Sequence, residues 1–258
     1  MLILIAEAKT MADCRQVISP QQYDSNHPLL ESQADDIIRT LKPLQAAELA
    51  GTIGISTSLA RKLTQMIYDF HNKNTGEEAI RAFSGVVFKA FDYNSLSAAE
   101  KDYVSGCVRI ISSLYGWLRP NDIIKPYRFD FTSKIPPHNT TLAALMRSGT
   151  TACLINELES QQSGDIIDLL PSDAARCIDW KMIQGNANVW KIEFKEIVSG
   201  DKTRTPNAGT LKKLRGLLLR QIIQENIKTP QDLMRIESDH YIPCAHQTDE
   251  HTISFITA

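Results

Sequence analysis

The chain has 258 residues, 43% of them hydrophobic and 22% charged, with a formal net charge of −2. That length and balance suit one large ordered domain with a sizeable core and exclude a disordered chain. They also exclude polyanion binding by bulk charge, so any nucleic-acid contact has to come from a local basic patch.

Residues 2–6, Leu-Ile-Leu-Ile-Ala, read as a buried first strand. The apolar run is too short, and lacks the basic flank, for a signal peptide. No later run approaches the roughly 18 apolar residues of a membrane span. The expected compartment is the cytosol, with no membrane partner. A polar stretch covers 10–33. Helices are predicted over 34–42 and 44–51, broken at Pro43, then a turn at 52–56, a helix over 57–70 and a loop at 72–76. Residues 77–83 read as helix and 86–91 as strand. Ser97, with Glu100 three residues on, opens a helix with a capping box; Val104, Val108, Ile111, Leu114 and Tyr115 carry it to an end near Gly116. Pro120 and Pro126 exclude regular helix from 119–128.

A helix follows over 141–160, then a short apolar strand at 166–170 closed by Pro171. Residues 189–198 alternate apolar and charged side chains, the pattern of a half-buried strand, and 199–202 read as a hairpin turn. A long helix over 210–227 and a last strand over 253–257 complete the chain. Interspersed strands and helices predict an α/β fold with a mixed sheet surrounded by helices, in a single domain over 1–258.

Five cysteines, Cys14, Cys107, Cys153, Cys177 and Cys244, are scattered, odd in number and without a C-x-x-C pair. Reduced thiols are expected rather than a disulfide framework. Cys244 lies near His240, His246 and His251, but the spacing fits no zinc pattern. The glycines lack the spacing of a P-loop or of G-x-G-x-x-G, and no nucleophile elbow is present. No metal and no cofactor is expected.

The small net charge hides segregation. Residues 191–235 carry ten Lys or Arg against five Asp or Glu, and 101–134 carry six against three, which leaves −10 on the remainder. On the helix over 210–227, Lys212, Lys213 and Arg220 share one side; Leu211, Leu214, Leu217, Leu218 and Ile222 take the other, and Arg215 falls near the apolar border. Most such stripes are simply the solvated face of a core helix.

The most specific local feature is Thr52-Ile-Gly-Ile-Ser-Thr-Ser-Leu-Ala-Arg-Lys-Leu63. It resembles the hairpin and second helix of a helix-hairpin-helix, here spanning about 43–70. Gly54 would let the backbone approach a phosphate, and Ile55 would anchor the turn. Ser56, Thr57 and Ser58 would cap the second helix, whose N-terminus favours an anion. Arg61 and Lys62 would reach the same strand one turn on. Ser56 stands where the motif has a second glycine, which a serine tolerates only at negative φ. The competing reading is an ordinary pair of packed helices with a capped turn.

Three further stretches resemble the YaaA family of bacterial peroxide-stress proteins. The opening Met1–Thr10 is similar to the family's apolar strand followed by Ser-Pro-Ala-Lys-Thr, with Ala6 and Glu7 in place of Ser and Pro and with Lys9 kept. Ala82-Phe-Ser-Gly85 and Leu114-Tyr-Gly-Trp-Leu-Arg-Pro120, followed by Pro126-Tyr-Arg128, match best. The third is Lys212 to Ile223. The pattern does not match at 133–165 and 172–188, and Asp168 stands where the family has Asn. The resemblance implies an unusual α/β fold with an embedded helix-hairpin-helix and a basic cleft. It also implies sequence-independent binding of double-stranded DNA, possibly at junctions or bubbles, and a role in limiting oxidative and iron-driven DNA damage.

The leading expectation is therefore a DNA-binding protein rather than a metabolic enzyme. Gly54, Ser56 and Ser58 would hold a phosphate, with counter-charge from Arg61, Lys62, Lys212, Lys213, Arg215 and Arg220. A second reading is an enzyme on nucleic acid or a phosphorylated small molecule, with a pocket drawn from Lys9, Tyr115, Arg119, Tyr127, Arg128 and Asp168. Against it, Arg119 and Arg128 would serve equally well in structural turns, paired with Asp122 and Asp130. A third is a protein-interaction module of a DNA repair pathway, with Tyr115, Trp117 and Tyr127 as exposed anchors, although such residues are more often core.

Overall fold

Five apolar residues in a row can be buried on both faces, and Leu2–Ala6 becomes β1 in the middle of the main sheet. The computed structural model describes the whole chain except residues 13, 15, 73, 138, 162–163, 200–201, 245–250 and 258. In chain order, β1 is followed by β2 (Gln16–Val17), α1 (Pro20–Ser25), α2 (Glu31–Leu41), α3 (Ala46–Ile53), α4 (Thr57–Asp69), β3 (Thr75–Glu78), α5 (Ala79–Ala82), α6 (Val86–Phe91) and α7 (Ala98–Cys107). Then come β4 (Val108–Ser112), β5 (Gly116–Leu118), β6 (Ile123–Ile124), β7 (Lys134–Ile135), β8 (Thr140–Thr141), α8 (Leu142–Gln161) and β9 (Asp165–Asp168). A 3-10 turn at Ala174–Cys177 precedes α9 (Trp180–Ile183), β10 (Asn188–Ser199), β11 (Lys202–Arg204), α10 (Ala208–Gln224), β12 (Tyr241–Pro243) and β13 (Thr252–Thr257).

The main sheet runs β12-β13-β10-β9-β1-β4-β5, with β11 paired to the far end of β10. The five inner strands are parallel, from β13 through β10, β9 and β1 to β4; β12, β5 and β11 are antiparallel additions, so the sheet is mixed as expected. Alternation along β1 sends Ile3 and Ile5 into one core and Leu2, Leu4 and Ala6 into another. The first core is capped by residues of α2, α3, α4, α6, α7 and α10; the second by α8, α9 and the 3-10 turn. No helix among the described residues is long and apolar enough to cross a membrane.

Four expectations are corrected. Residues 86–91 form helix α6, not a strand: Phe88 and Phe91 are buried one turn apart, and Gly216 of α10 seats against it. A side chain at Gly216 would place its Cβ 2.3 Å from the Val87 carbonyl oxygen, so this glycine sets the approach of the two helices. The helix opened by Ser97 ends at Cys107 instead of continuing to Gly116. Its capping box is present, with Ser97 N donating to Glu100 Oε2 at 2.6 Å. Val108–Ser112 becomes β4 because every residue there is buried and Val108 to Ile111 pair with β1; Val108 and Ile111 mimic helical spacing although they lie on opposite faces of the strand. Residues 77–83 begin as strand, since β3 pairs with β6 before α5 starts. Finally, Tyr115, Trp117 and Tyr127 are core residues, 2%, 0% and 4% exposed, and offer no surface anchor.

Candidate functional site

The turn between α3 and α4 is built from local rules. α3 ends at Gly54 in the left-handed region, φ 72°. Ile55 N donates back to Ala50 O at 3.1 Å, a Schellman-type closure. Ser56 caps α4 at φ −65°, its hydroxyl accepting from Leu59 N at 3.3 Å. The negative φ explains why a serine is tolerated there. The amides of Thr57 and Ser58 have no acceptor among the described residues and open the positive end of a 13-residue helix. Arg61 and Lys62, one turn on, are exposed and have no ion-pair partner among the described residues.

This turn borders a groove of about 420 Å³ lined by Gly51 to Ile55, Leu59, Lys9 and the segment from Arg128 to Lys134. The groove thus joins two stretches far apart in sequence. Arg128 donates to the Lys9 carbonyl at 3.0 Å, and Lys9 pairs with Asp130. Lys9, Arg128 and Lys134 against Asp130 give the wall an excess of positive charge. On α10, Lys212 and Lys213 are exposed, and Leu214, Leu218 and Ile222 are buried opposite them. Arg220 donates to the carbonyls of Phe91 and Asp92, closing the end of α6. Arg215 is half-buried beside Asp168 and Asp173 rather than on the lysine face.

The six pocket candidates are dispersed. Only Lys9 and Arg128 border the groove. Arg119 is bound to Asp122 at 2.8 Å and to the His27 carbonyl at 3.1 Å, a structural turn. Burial pushes Asp122 up to about 6, against the pull of the Arg119 backbone amide and guanidinium. Tyr115 is enclosed and accepts from Lys125 N at 3.1 Å. Asp130 takes Lys9, not Arg128, as its partner.

Tyr127 belongs to a buried network that no local pattern signals. Ser112 Oγ accepts from the amides of Leu114 and Tyr115 at 3.2 and 2.9 Å, so its proton points to Tyr127 Oη at 2.7 Å. Tyr127 in turn donates to Glu7 Oε2, which also accepts from Ser113 N at 2.9 Å. Burial pushes Glu7 up to about 7, although these hydrogen bonds to Ser113 and Tyr127 favour the ionised form. Asp168, at the end of β9, is likewise raised by burial while Leu170 N, Arg215 and Lys191 oppose the shift.

Among the described residues no three His, Cys, Asp or Glu side chains gather as a metal site, and His246 lies outside the described residues. Cys107, Cys153 and Cys177 are free thiols.

Fold and groove define a mixed-sheet α/β protein with a capped helical turn set against a basic loop. The family model for peroxide stress protein YaaA matches residues 1–246. The chain therefore belongs to the YaaA peroxide-stress family. It is similar to UPF0246 proteins along nearly its whole length. One from Parabacteroides distasonis is 30% identical over 237 residues, 90% of each chain. One from Bordetella avium is 30% identical over 248 residues, 94% of this chain and 93% of its own. One from Bacteroides thetaiotaomicron is 29% identical over 259 residues, 99% of this chain and 98% of its own.

Proposed function

We propose that this member of a peroxide-stress family works in the cytosol by binding the backbone of duplex DNA without reading its sequence, and so limits oxidative damage to it. The observation that carries this reading is the α3–α4 turn. It opens a helix with two amides that have no acceptor among the described residues, and Arg61 and Lys62 stand one turn on with no ion-pair partner there. In this reading the turn acts as a helix-hairpin-helix: Gly54 permits close approach, the Thr57 and Ser58 amides and the Ser56 and Ser58 hydroxyls receive a phosphate, and Arg61 and Lys62 neutralise its neighbours.

Lys9, Arg128 and Lys134 extend the basic wall across the groove. Lys212 and Lys213 add exposed charge on α10, whereas Arg220 is occupied by the carbonyls it caps. Contacts of this kind release counterions, so affinity falls steeply with salt.

The test is a gel-shift titration of the full chain against duplex, junction and bubble DNA at two salt concentrations, beside Arg61→Glu/Lys62→Glu. The reading expects binding that weakens with salt and is lost in the variant. Failure of the wild type to bind any of the three DNAs at low salt would overturn it.

A further inference from the structure

A second region carries chemistry that backbone recognition leaves unused. The carboxyl ends of β4, β1 and β9 lie side by side. The chain leaves β1 for β4 on one side, and leaves β9 for β10 on the other. The boundary between β1 and β9 is thus where strand order reverses, the place at which open parallel sheets gather ligands.

Arg215, Asp168 and Glu7 stand at this edge. Arg215 is half-buried yet makes no hydrogen bond and no ion pair among the described residues, with Asp168 and Asp173 as the opposite charges within electrostatic reach. A desolvated guanidinium with an empty fork carries a cost that an oxyanion ligand would offset. Its backbone is fixed, because Gly216 next to it is wedged against Val87. Asp168 is held through Oδ1 by Leu170 N at 2.9 Å, and Oδ2 has no hydrogen bond among the described residues. Glu7 is already held through Oε2 by Tyr127 and Ser113.

An ionised Asp168 only accepts hydrogen bonds, so a ligand that satisfies it brings a donor. A bare inorganic anion would meet repulsion from Asp168 and Asp173. We propose that this carboxyl edge binds a small polyhydroxylated oxyanion, a phosphorylated sugar or a sugar acid. Its charged group is taken by Arg215, and a hydroxyl donates to Asp168. The site is separate from the α3–α4 turn and does not rest on the DNA reading.

The test is calorimetric titration of the full chain at neutral pH with ribose 5-phosphate, gluconate, ribose and inorganic phosphate. Either ribose 5-phosphate or gluconate is expected to bind one to one, at least about tenfold tighter than ribose or inorganic phosphate; which of the two wins identifies the charged group. Arg215→Gln is expected to weaken that ligand by at least about tenfold, and Arg61→Glu/Lys62→Glu to leave it unchanged whatever happens to DNA binding. Should Arg215→Gln fail to fold by circular dichroism, Asp168→Asn replaces it with the same expected loss. No saturable heat with ribose 5-phosphate or gluconate, or undiminished affinity in the folded variant, would overturn the proposal.

Discussion

The α3–α4 turn and the carboxyl edge of the sheet place charge in opposite ways. At the turn, Arg61 and Lys62 stand in solvent, without ion-pair partners among the described residues, on a helix set by its own caps. At the edge, Glu7, Tyr127, Ser112 and Ser113 converge from residues more than a hundred positions apart, and burial shifts their protonation. The first arrangement suits a large, fixed, strongly charged partner met at the surface. The second suits a small partner that has to be received, or a structural network that holds the strand ends in register. Mutations separate these roles because the two regions share no residue.

Reversing Arg61 and Lys62 together should have the largest effect, a loss of roughly a hundredfold or more in DNA affinity at low salt, with an unchanged circular dichroism spectrum. A folded variant that still binds DNA normally would reduce the turn to a packed corner. Next in size is Tyr127→Phe. It strands Ser112 Oγ without its acceptor and Glu7 without its donor, so urea unfolding should show a loss of about 1–3 kcal/mol. Carbon-13 titration of Glu7 should also move higher, because the lost phenol favoured the ionised carboxylate. DNA affinity should stay within about twofold, since no backbone contact is touched. Gly54→Ala tests the turn from its backbone. Nothing lies within 4 Å of an added Cβ, so the cost comes from the left-handed φ alone, about 1 kcal/mol by thermal melting.

The smallest effect is a change of slope. Glu7 binds its proton more tightly in the folded chain, at about 7, than its ordinary 4.5. The stability it contributes is therefore full below pH 4.5 and is lost as pH rises to 7. Glu7→Gln should flatten that part of the urea-unfolding profile; an unaltered slope would show that Glu7 titrates normally.

Much of the fold was legible because it depends on short-range order. The apolar run of β1, the Ser97–Glu100 capping box, the alternation along β10 and the amphipathic α10 are each local patterns, and each became the expected element. The errors fell on short segments whose apolar residues fit strand and helix alike. Val108–Ser112 and Val86–Phe91 span only five and six residues, so periodicity does not arbitrate, and only pairing with β1 or packing on Gly216 decides between strand and helix. The same division holds for the candidate sites. Gly54, Ser56, Arg61 and Lys62 lie within eight residues, and their backbone geometry follows from propensity and capping.

Lys9 and Arg128 were recognisable as cations, yet their place beside that turn needed the folded sheet. Glu7 carried no sequence signal at all, being one carboxylate after an apolar strand. What the chain determined alone was the α/β class, the capped turn and the segregation of charge, since these are set by residues within a few positions of one another. What only the tertiary structure decided was which strand ends meet and which charges lose water there: desolvation and hydrogen-bond direction are properties of neighbours in space.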